Sequence, residues 1–412
     1  MRREINVLRD GGIYTATNLL NSFIPFLLLP GYTKALTPAE FGLLSIYENM
    51  VFFLMPILMF GISGVLSVDY FRKKRIFTIL FSSAFVIPVS MFSLLSVGTL
   101  VAMIGGYQNV HLEYEYVFMV LGIGLLQVFT LLRLMLYQVK KQPLKYLFVQ
   151  GWVILSSVLF TLYFVVYDDW GWAGRIQALF IAYLFAGAFS FLSFLKEGCL
   201  DRSAVVARKV RYVFGIGFPL VPHALGMLFI VYFDRFLLVH YWGVEEVGVY
   251  AFAHQLGMGV SLLQNSFNQA WYPRFFELMK RSLYKDIKIV HRWFLFLLVC
   301  SVPLLYIFIH VVYEFLFDDA YSRALDFFFF IAIGFVFVGV YKMYVNVIFY
   351  YKRTRVLLWL AVLNVSVNLL LNLLLVPSLG AQGAALGLLC SMVALAWFTR
   401  MISKKVFESE IL

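Results

Sequence analysis

The chain has 412 residues, 62% of them hydrophobic and only 13% charged, with a formal net charge of +11 and a mean hydropathy of +0.87, which leaves too little polar surface for a water-soluble globule of this size. Its basic excess is no nucleic-acid patch, because it is split into small groups that flank apolar stretches. Cys199, Cys300 and Cys390 are too far apart for a disulfide framework or a metal site.

In chain order, twelve apolar stretches offer the roughly 20 residues that a membrane crossing needs. They start near Ile13, Phe41, Ile76, Tyr116, Tyr146, Ile176, Tyr212, Val247, Trp293, Ala324, Val356 and Ala384. The first is long and has no cleavage pattern after it, so it is expected to remain as a span. Lys and Arg fall almost entirely in every second gap: Arg2, Arg3 and Arg9, then Arg72-Lys73-Lys74-Arg75, Lys140 to Lys145, Lys196 to Arg211, Arg274 to Arg292, Lys352-Arg353-Thr354-Arg355, and finally Arg400, Lys404 and Lys405. The alternate gaps are short and hold only Lys34, Arg175 and Arg323 among basic residues. Their acids are Glu113 and Glu115, Asp168-Asp169, Glu245-Glu246, and Glu314, Asp318 and Asp319. Basic loops stay cytoplasmic. The reading is an all-α integral membrane protein with twelve transmembrane helices and both termini inside, with Trp170 and Trp172 at the outer interface and Trp271-Tyr272 at the inner one.

The two halves are related. Thr37-Pro38-Ala39-Glu40-Phe41-Gly42 joins spans one and two, and Gly243-Val244-Glu245-Glu246-Val247-Gly248 joins spans seven and eight, 206 positions later. Gly171-Trp172-Ala173-Gly174 precedes span six, and Gly380-Ala381-Gln382-Gly383 precedes span twelve, 209 positions later. Six spans per half is an even number, so both halves enter from the same side, as parallel repeats do. The expected organisation is a six-helix lobe over 1–195, a basic linker over 196–211 and a second six-helix lobe over 212–412.

Three stretches carry a resemblance: Leu36-Thr-Pro-Ala-Glu-Phe-Gly42, Asp234-Arg235-Phe-Leu-Leu with Glu246-Val-Gly-Val-Tyr250, and Val376-Pro-Ser-Leu-Gly-Ala-Gln-Gly-Ala-Ala385. With them the whole chain resembles the Wzx-type oligosaccharide-lipid flippases of bacterial polysaccharide synthesis, in the superfamily that includes the MATE drug exporters. The resemblance implies two six-helix lobes around a central cavity and alternating access. It also implies transfer of undecaprenyl-diphosphate-linked oligosaccharide units from the cytoplasmic to the outer leaflet of the bacterial inner membrane. A hydrated cavity is physically required for that cargo, because stripping water from sugar and diphosphate groups costs several kcal/mol each. The implied partners are the lipid-linked oligosaccharide, membrane lipids, a coupling ion (H+ or Na+) and other polysaccharide-assembly membrane proteins. No cofactor is implied.

Ionisable groups inside spans are functional candidates because they are costly there. Lys342, about 15 Å from the inner basic gap at 1.5 Å per residue, is a candidate contact for the diphosphate; the alternative is a structural partner to a buried carboxylate. Arg235 and Arg133 are further candidate cavity cations, Arg235 also able to snorkel outward and Arg133 also readable as an interfacial anchor. Adjacent helical positions diverge by about 100°, so Asp234 and Arg235 are expected to have different partners. The 206-residue offset places Glu48-Asn49 on His254-Gln255, an ionisable residue followed by an amide in each half. They are read as coupling or sugar-contact groups, or as hydrogen bonds between helices; His254 would titrate near neutrality if wet. Asn265 and Asn268, with Ser261, Gln264 and Gln269, are placed toward the cavity, whereas Asn364, Asn368 and Asn372, at i, i+4 and i+8, suit either cavity or helix packing. Pro25, Pro56, Pro219 and Pro222 are expected to bend their spans.

A MATE-like ion-coupled exporter of drugs or cations is the alternative. It normally needs a membrane-embedded acid, and the first span has none, although Glu48 and Asp234 keep it open. A lipid II flippase would call for two further helices. An enzyme is not expected, since outer loops of about a dozen residues leave no room for a catalytic domain and no phosphate-cradling Gly-Lys-Ser/Thr loop occurs.

Overall fold

The computed structural model describes residues 2–72, 74–106, 112–201, 204–218, 220–351 and 353–411. Lys73, Pro219 and Lys352 lie outside the described residues. The fold is all-helical and resolves into two compact units, one of residues 1–36 and 43–225, the other of residues 37–42 and 226–412.

The first unit holds α1 (Arg2–Ala35), most of α2 (Pro38–Met59), α3 (Ile62–Arg72), α4 (Phe77–Ile104), α5 (Tyr114–Val139), α6 (Pro143–Thr161), α7 (Gly171–Lys196), α8 (Ala207–Gly217) and the start of α9 (Leu220–Tyr232). Phe60 and Gly61, both at positive φ, break α2 from α3 just beyond Pro56, so the second span is kinked rather than smooth. Its core is aromatic: Phe81, Phe85, Phe129 and Phe194 are buried together with Phe191 against them, and Phe85 stacks on Phe129 with centroids 4.8 Å apart. Offset stacking of this kind adds to the burial of apolar area. Segment 196–211 does not hang free as a linker would. The amides of Asp201 and Val206 donate to the hydroxyls of Ser82 and Ser83 on α4, at 2.9 and 3.1 Å, and Cys199, Leu200 and Val210 pack on the aromatic core.

The second unit comprises the rest of α9, α10 (Asp234–Trp242), α11 (Val244–Gly257), α12 (Gly259–Lys280), α13 (Tyr284–Leu316), α14 (Leu325–Tyr350) and α15 (Thr354–Ile411). It also takes in Thr37–Gly42, where Glu40 and Thr37 form a reciprocal N-terminal cap. Trp271, expected at the membrane interface, is instead buried among Phe275, Leu278, Met279 and Ile287; its ring had too many apolar neighbours at helical spacing to stay at the surface.

Among the described residues, nine helical segments are long and apolar enough to cross a membrane. The last, Val356–Ser409, has 54 residues, far beyond one crossing at 1.5 Å per residue, and Gly380 breaks it with a φ of 58° and ψ of −135°. It therefore supplies two crossings. α1 and the α11–α12 pair are helical but are not among the nine; in the latter His254, Gln255, Gln264 and Asn265 lower the hydropathy. Counted together, these segments are consistent with twelve crossings.

The repeat is visible in backbone geometry within each unit. Gly171 and Gly380 both have φ of 58°. Three residues on, a β-carbon on Gly174 would lie 3.0 Å from the Phe164 carbonyl carbon, and one on Gly383 would lie 2.6 Å from the Leu375 carbonyl carbon. Both positions thus demand glycine for the same reason, close backbone approach at the start of a span.

Candidate functional site

The second unit contains two of the three candidate cations, Arg235 and Lys342, and local structure distinguishes them. The helix breaks at Phe233, so Asp234 begins α10 rather than continuing α9. Its carboxylate accepts from the Arg235 backbone amide at 2.8 Å and from Arg235 Nη1 at 3.2 Å, and Tyr250 donates its hydroxyl to the other oxygen. Asp234 and Arg235 are therefore partners to each other, contrary to the expectation from regular helical geometry. Both residues lie within α10, and the long Arg235 side chain folds back to reach its neighbour. With Asp234 1% and Arg235 4% exposed and the guanidinium also donating to the Val231 carbonyl, Arg235 does not snorkel.

Lys342 on α14 differs. Its Nζ donates to Asn265 Oδ1 on α12 at 2.7 Å, and among the described residues it makes no ion pair. It is the expected cation that keeps its charge uncompensated, next to an amide that can orient a ligand.

The remaining polar residues of this unit are mostly packed. His254 is buried, with Nε2 lacking a hydrogen-bond partner and its ring against Tyr250 and Phe335, so it lacks the water contact that a proton role presupposed. Gln264 is fully buried and donates to the Phe335 carbonyl, which removes it from a cavity wall. Asn268 and Gln255 are half-buried. Asn364, Asn368 and Asn372 are all buried. Asn368 donates to Ser391 at 3.1 Å and Asn372 to Asn368 at 3.0 Å, an amide ladder joining the two halves of α15. For that stripe, helix packing is what the geometry displays. Glu246 accepts from the Ala381 amide at 3.1 Å and from Arg323 at 3.2 Å, while Trp242 donates to the Val376 carbonyl at 2.8 Å. The break at Gly380 is thus capped on both sides.

In the first unit, Arg175 is not a loop residue as its place beside an outer gap suggested. It is 8% exposed, donates from Nε to Glu48 at 3.0 Å and from Nη1 to Thr161 at 2.8 Å. Glu48 is consequently ion-paired, and Asn49 beside it is buried with its Nδ2 lacking a partner. Arg133, 3% exposed, pairs with Glu197 just beyond α7 and lies 4.4 Å over the Tyr137 ring. Lys140 joins Glu197 at 2.9 Å. The hydrogen bond from Arg133 and the nearby lysine hold the Glu197 carboxyl at about 2. Arg133 is a structural anchor in this arrangement, its charge already answered.

The first unit also holds a cleft of about 450 Å³ whose wall carries Asn18, Asn21, Gln127, Gln138, Tyr146 and Gln150 and, among the described residues, no charged one. Tyr146 donates to Asn18 at 2.9 Å and Gln150 to Asn21 at 3.1 Å, fastening α1 to α6. None of these residues was singled out from the sequence. The signal was present as pairs at helical spacing, Asn18 with Asn21 and Tyr146 with Gln150, but each pair is too short to stand out as a stripe.

Helices long enough to span, an all-helical fold and charged groups held inside it define a multi-pass membrane protein. Solved structures agree on the fold: a multidrug resistance MATE family transporter of the MOP superfamily, in an inward-facing conformation, aligns at a TM-score of 0.72 with 13% identity, covering 94% of this chain and 95% of that one. The family model for polysaccharide biosynthesis proteins matches residues 7–279, and the chain belongs to that family, as its Wzx-type resemblance implied. Relatives in Haemophilus influenzae include Lsg locus putative protein 1, 24% identical over 374 residues that cover 87% of this chain and 89% of that protein. A second is an uncharacterized membrane protein, 27% identical over 306 residues covering 73% and 72%.

Proposed function

We propose that the protein is a flippase that carries undecaprenyl-diphosphate-linked oligosaccharide repeat units from the cytoplasmic to the outer leaflet of the bacterial inner membrane by alternating access, for surface polysaccharide synthesis. The observation that carries this reading is the family match over residues 7–279, and the chemistry of the two units is in keeping with it. The cargo needs a cation for its diphosphate and a neutral hydrogen-bonding wall for its sugars. Lys342 with Asn265 supplies the first, and the cleft lined by Asn18, Asn21 and Gln150 supplies the second.

An exporter of organic cations would need an acid free to meet its cargo or its coupling ion. Glu48 and Asp234 are each held by an arginine, which weighs against that alternative. The basic gaps support a topology with both termini in the cytoplasm.

The test is leaflet transfer of an undecaprenyl-diphosphate tetrasaccharide in vesicles carrying wild type or Lys342→Ala. Transfer that falls in the variant supports the flippase and its lysine together. Transfer unaffected by the variant keeps the function and discards that contact, while absence of transfer alongside ion-driven export of small cations moves the protein to the drug exporters.

A further inference from the structure

We infer that the cleft of the first unit is a glycan subsite that selects uncharged sugars against acidic and amino sugars; this rests on the flippase reading and specifies part of its cargo. Its volume of about 450 Å³ lies within the range of small-molecule sites, roughly 300–1,000 Å³. Amides line it from three helices: Asn18 and Asn21 from α1, Gln127 and Gln138 from α5, and Gln150 from α6. A carboxamide offers two donors and an acceptor with two lone pairs, and a phenol both donates and accepts. That mixture matches sugar hydroxyls, which also do both. A carboxylate or ammonium entering the same cleft would give up water with no counter-charge on the wall, and is disfavoured for that reason. A diphosphate would ask for cations that the wall does not carry.

Helix glue is the competing account of such residues, and it fails on two points. Glue closes space, whereas these amides surround a cleft while two of them are already fixed by the α1–α6 bonds to Tyr146 and Gln150. Gln127 Oε1 is, besides, buried without a hydrogen-bond partner, an acceptor inside the wall with nothing to accept. Gln138, Tyr146, Gln150 and Ser67 lie at the ends of their helices nearest the basic gaps, and Gln127 and Tyr183 near the middle of theirs, so under the positive-inside reading the cleft reaches from mid-membrane to the cytoplasmic side, where a lipid-linked glycan would be loaded.

The experiment is calorimetric titration of the purified full-length protein with three soluble tetrasaccharides: neutral chitotetraose, its fully de-N-acetylated cationic form, and anionic tetragalacturonate. Chitotetraose is expected to bind tightest. Asn21→Leu combined with Gln150→Leu is expected to weaken it about ten-fold, the loss of one or two hydrogen bonds. Gln138→Glu, at an exposed position that tolerates the change even if the double variant fails to fold, is expected to turn the preference toward the cationic form. Equal binding of all three sugars, no binding of chitotetraose, or a preference unmoved by Gln138→Glu overturns the subsite. Leaflet transfer of a neutral lipid-linked glycan, measured on the same preparations, separates the two readings. Transfer without chitotetraose binding removes the subsite and leaves the flippase; binding without transfer of any lipid-linked glycan removes the flippase.

Discussion

Gly171 and Gly380 share the same left-handed backbone angle, φ of 58°, although one opens α7 in the first unit and the other divides α15 in the second. A shared positive φ at matching positions 209 residues apart, with a close-packed glycine three residues on in each case, is what a duplicated element is expected to leave. At Gly380 the requirement is reinforced, because a β-carbon there would lie 2.9 Å from Glu246 Oε1. Gly380→Ala is therefore expected to lower the thermal midpoint of the detergent-solubilised protein, with a backbone cost of about 1–3 kcal/mol for a conformation that essentially only glycine adopts. An unchanged midpoint would mean that the break relaxes freely.

Glu246 is the next point to probe, since it both caps the helix starting at Ala381 and pairs with Arg323. Arg323 is 65% exposed, so its loss is expected to cost under about 1 kcal/mol. Glu246→Ala, which also leaves the Ala381 amide without its acceptor, is expected to cost more than Arg323→Ala in the same melting assay. The reverse order would assign the stability to the ion pair rather than the cap.

Lys342 carries the transport prediction. Replacement by Ala is expected to slow leaflet transfer by roughly ten- to a hundred-fold, the value of a hydrogen bond to a charged group, while Lys342→Arg retains part of the rate because the charge survives. Equal loss in both would point to shape at the α12–α14 contact instead of charge.

Arg175 and Glu48 test whether a membrane acid is structural or coupled to an ion. Arg175 is buried while Glu48 is 33% exposed, so removing the acid leaves a buried charge without its partner, at less than the full cost of breaking a wholly buried pair, and Glu48→Gln alone is expected to reduce the yield of folded protein. The double variant Glu48→Gln with Arg175→Gln is expected to recover most of that yield and to transport with wild-type ion dependence. Loss of ion dependence in a well-folded double variant would return Glu48 to a coupling role.

Glu197 gives a pH signature. Its folded value is depressed to about 2 from an ordinary 4.5, so its contribution to stability is fully present above the unfolded value and is lost as pH falls through the folded one. The difference in melting midpoint between wild type and Glu197→Gln is expected to hold from neutrality down to about pH 4.5 and to shrink below it. A difference that stays constant down to pH 3 would contradict the pairing with Arg133 and Lys140.

The spans were legible because they rest on a counted property, apolar length, and the offset between matching loops pointed to the two glycines that share a positive φ. Side-chain partnerships were not, because they depend on which side chains the packed helices bring within reach. Asp234 and Arg235 diverge at the backbone of α10 and meet because the long arginine side chain folds back onto its neighbour. Arg175, assigned to the gap just before the next span, is drawn into the protein by Glu48 and Thr161, contacts that come from 127 and 14 residues away. The cleft escaped notice for a related reason: its amides are distributed over three helices, and no single stretch carries enough of them to register. Asn368 illustrates the opposite limit, since its stripe was plain in the sequence while its use, a ladder to Ser391, required the turn at Gly380 that folds one half of α15 onto the other.

The cluster of Asp234, Arg235 and Tyr250 bears on biogenesis. The tyrosine that completes it is 16 residues downstream of the aspartate, on the following helix, so when α10 first reaches the translocon its charges have only each other. An acid and an arginine that close to the bilayer interior are expensive until every partner has arrived. The seventh and eighth spans are thereby tied into one insertion event, a helical hairpin released into lipid together, and the order in which the chain is synthesised becomes part of how the second unit acquires its fold.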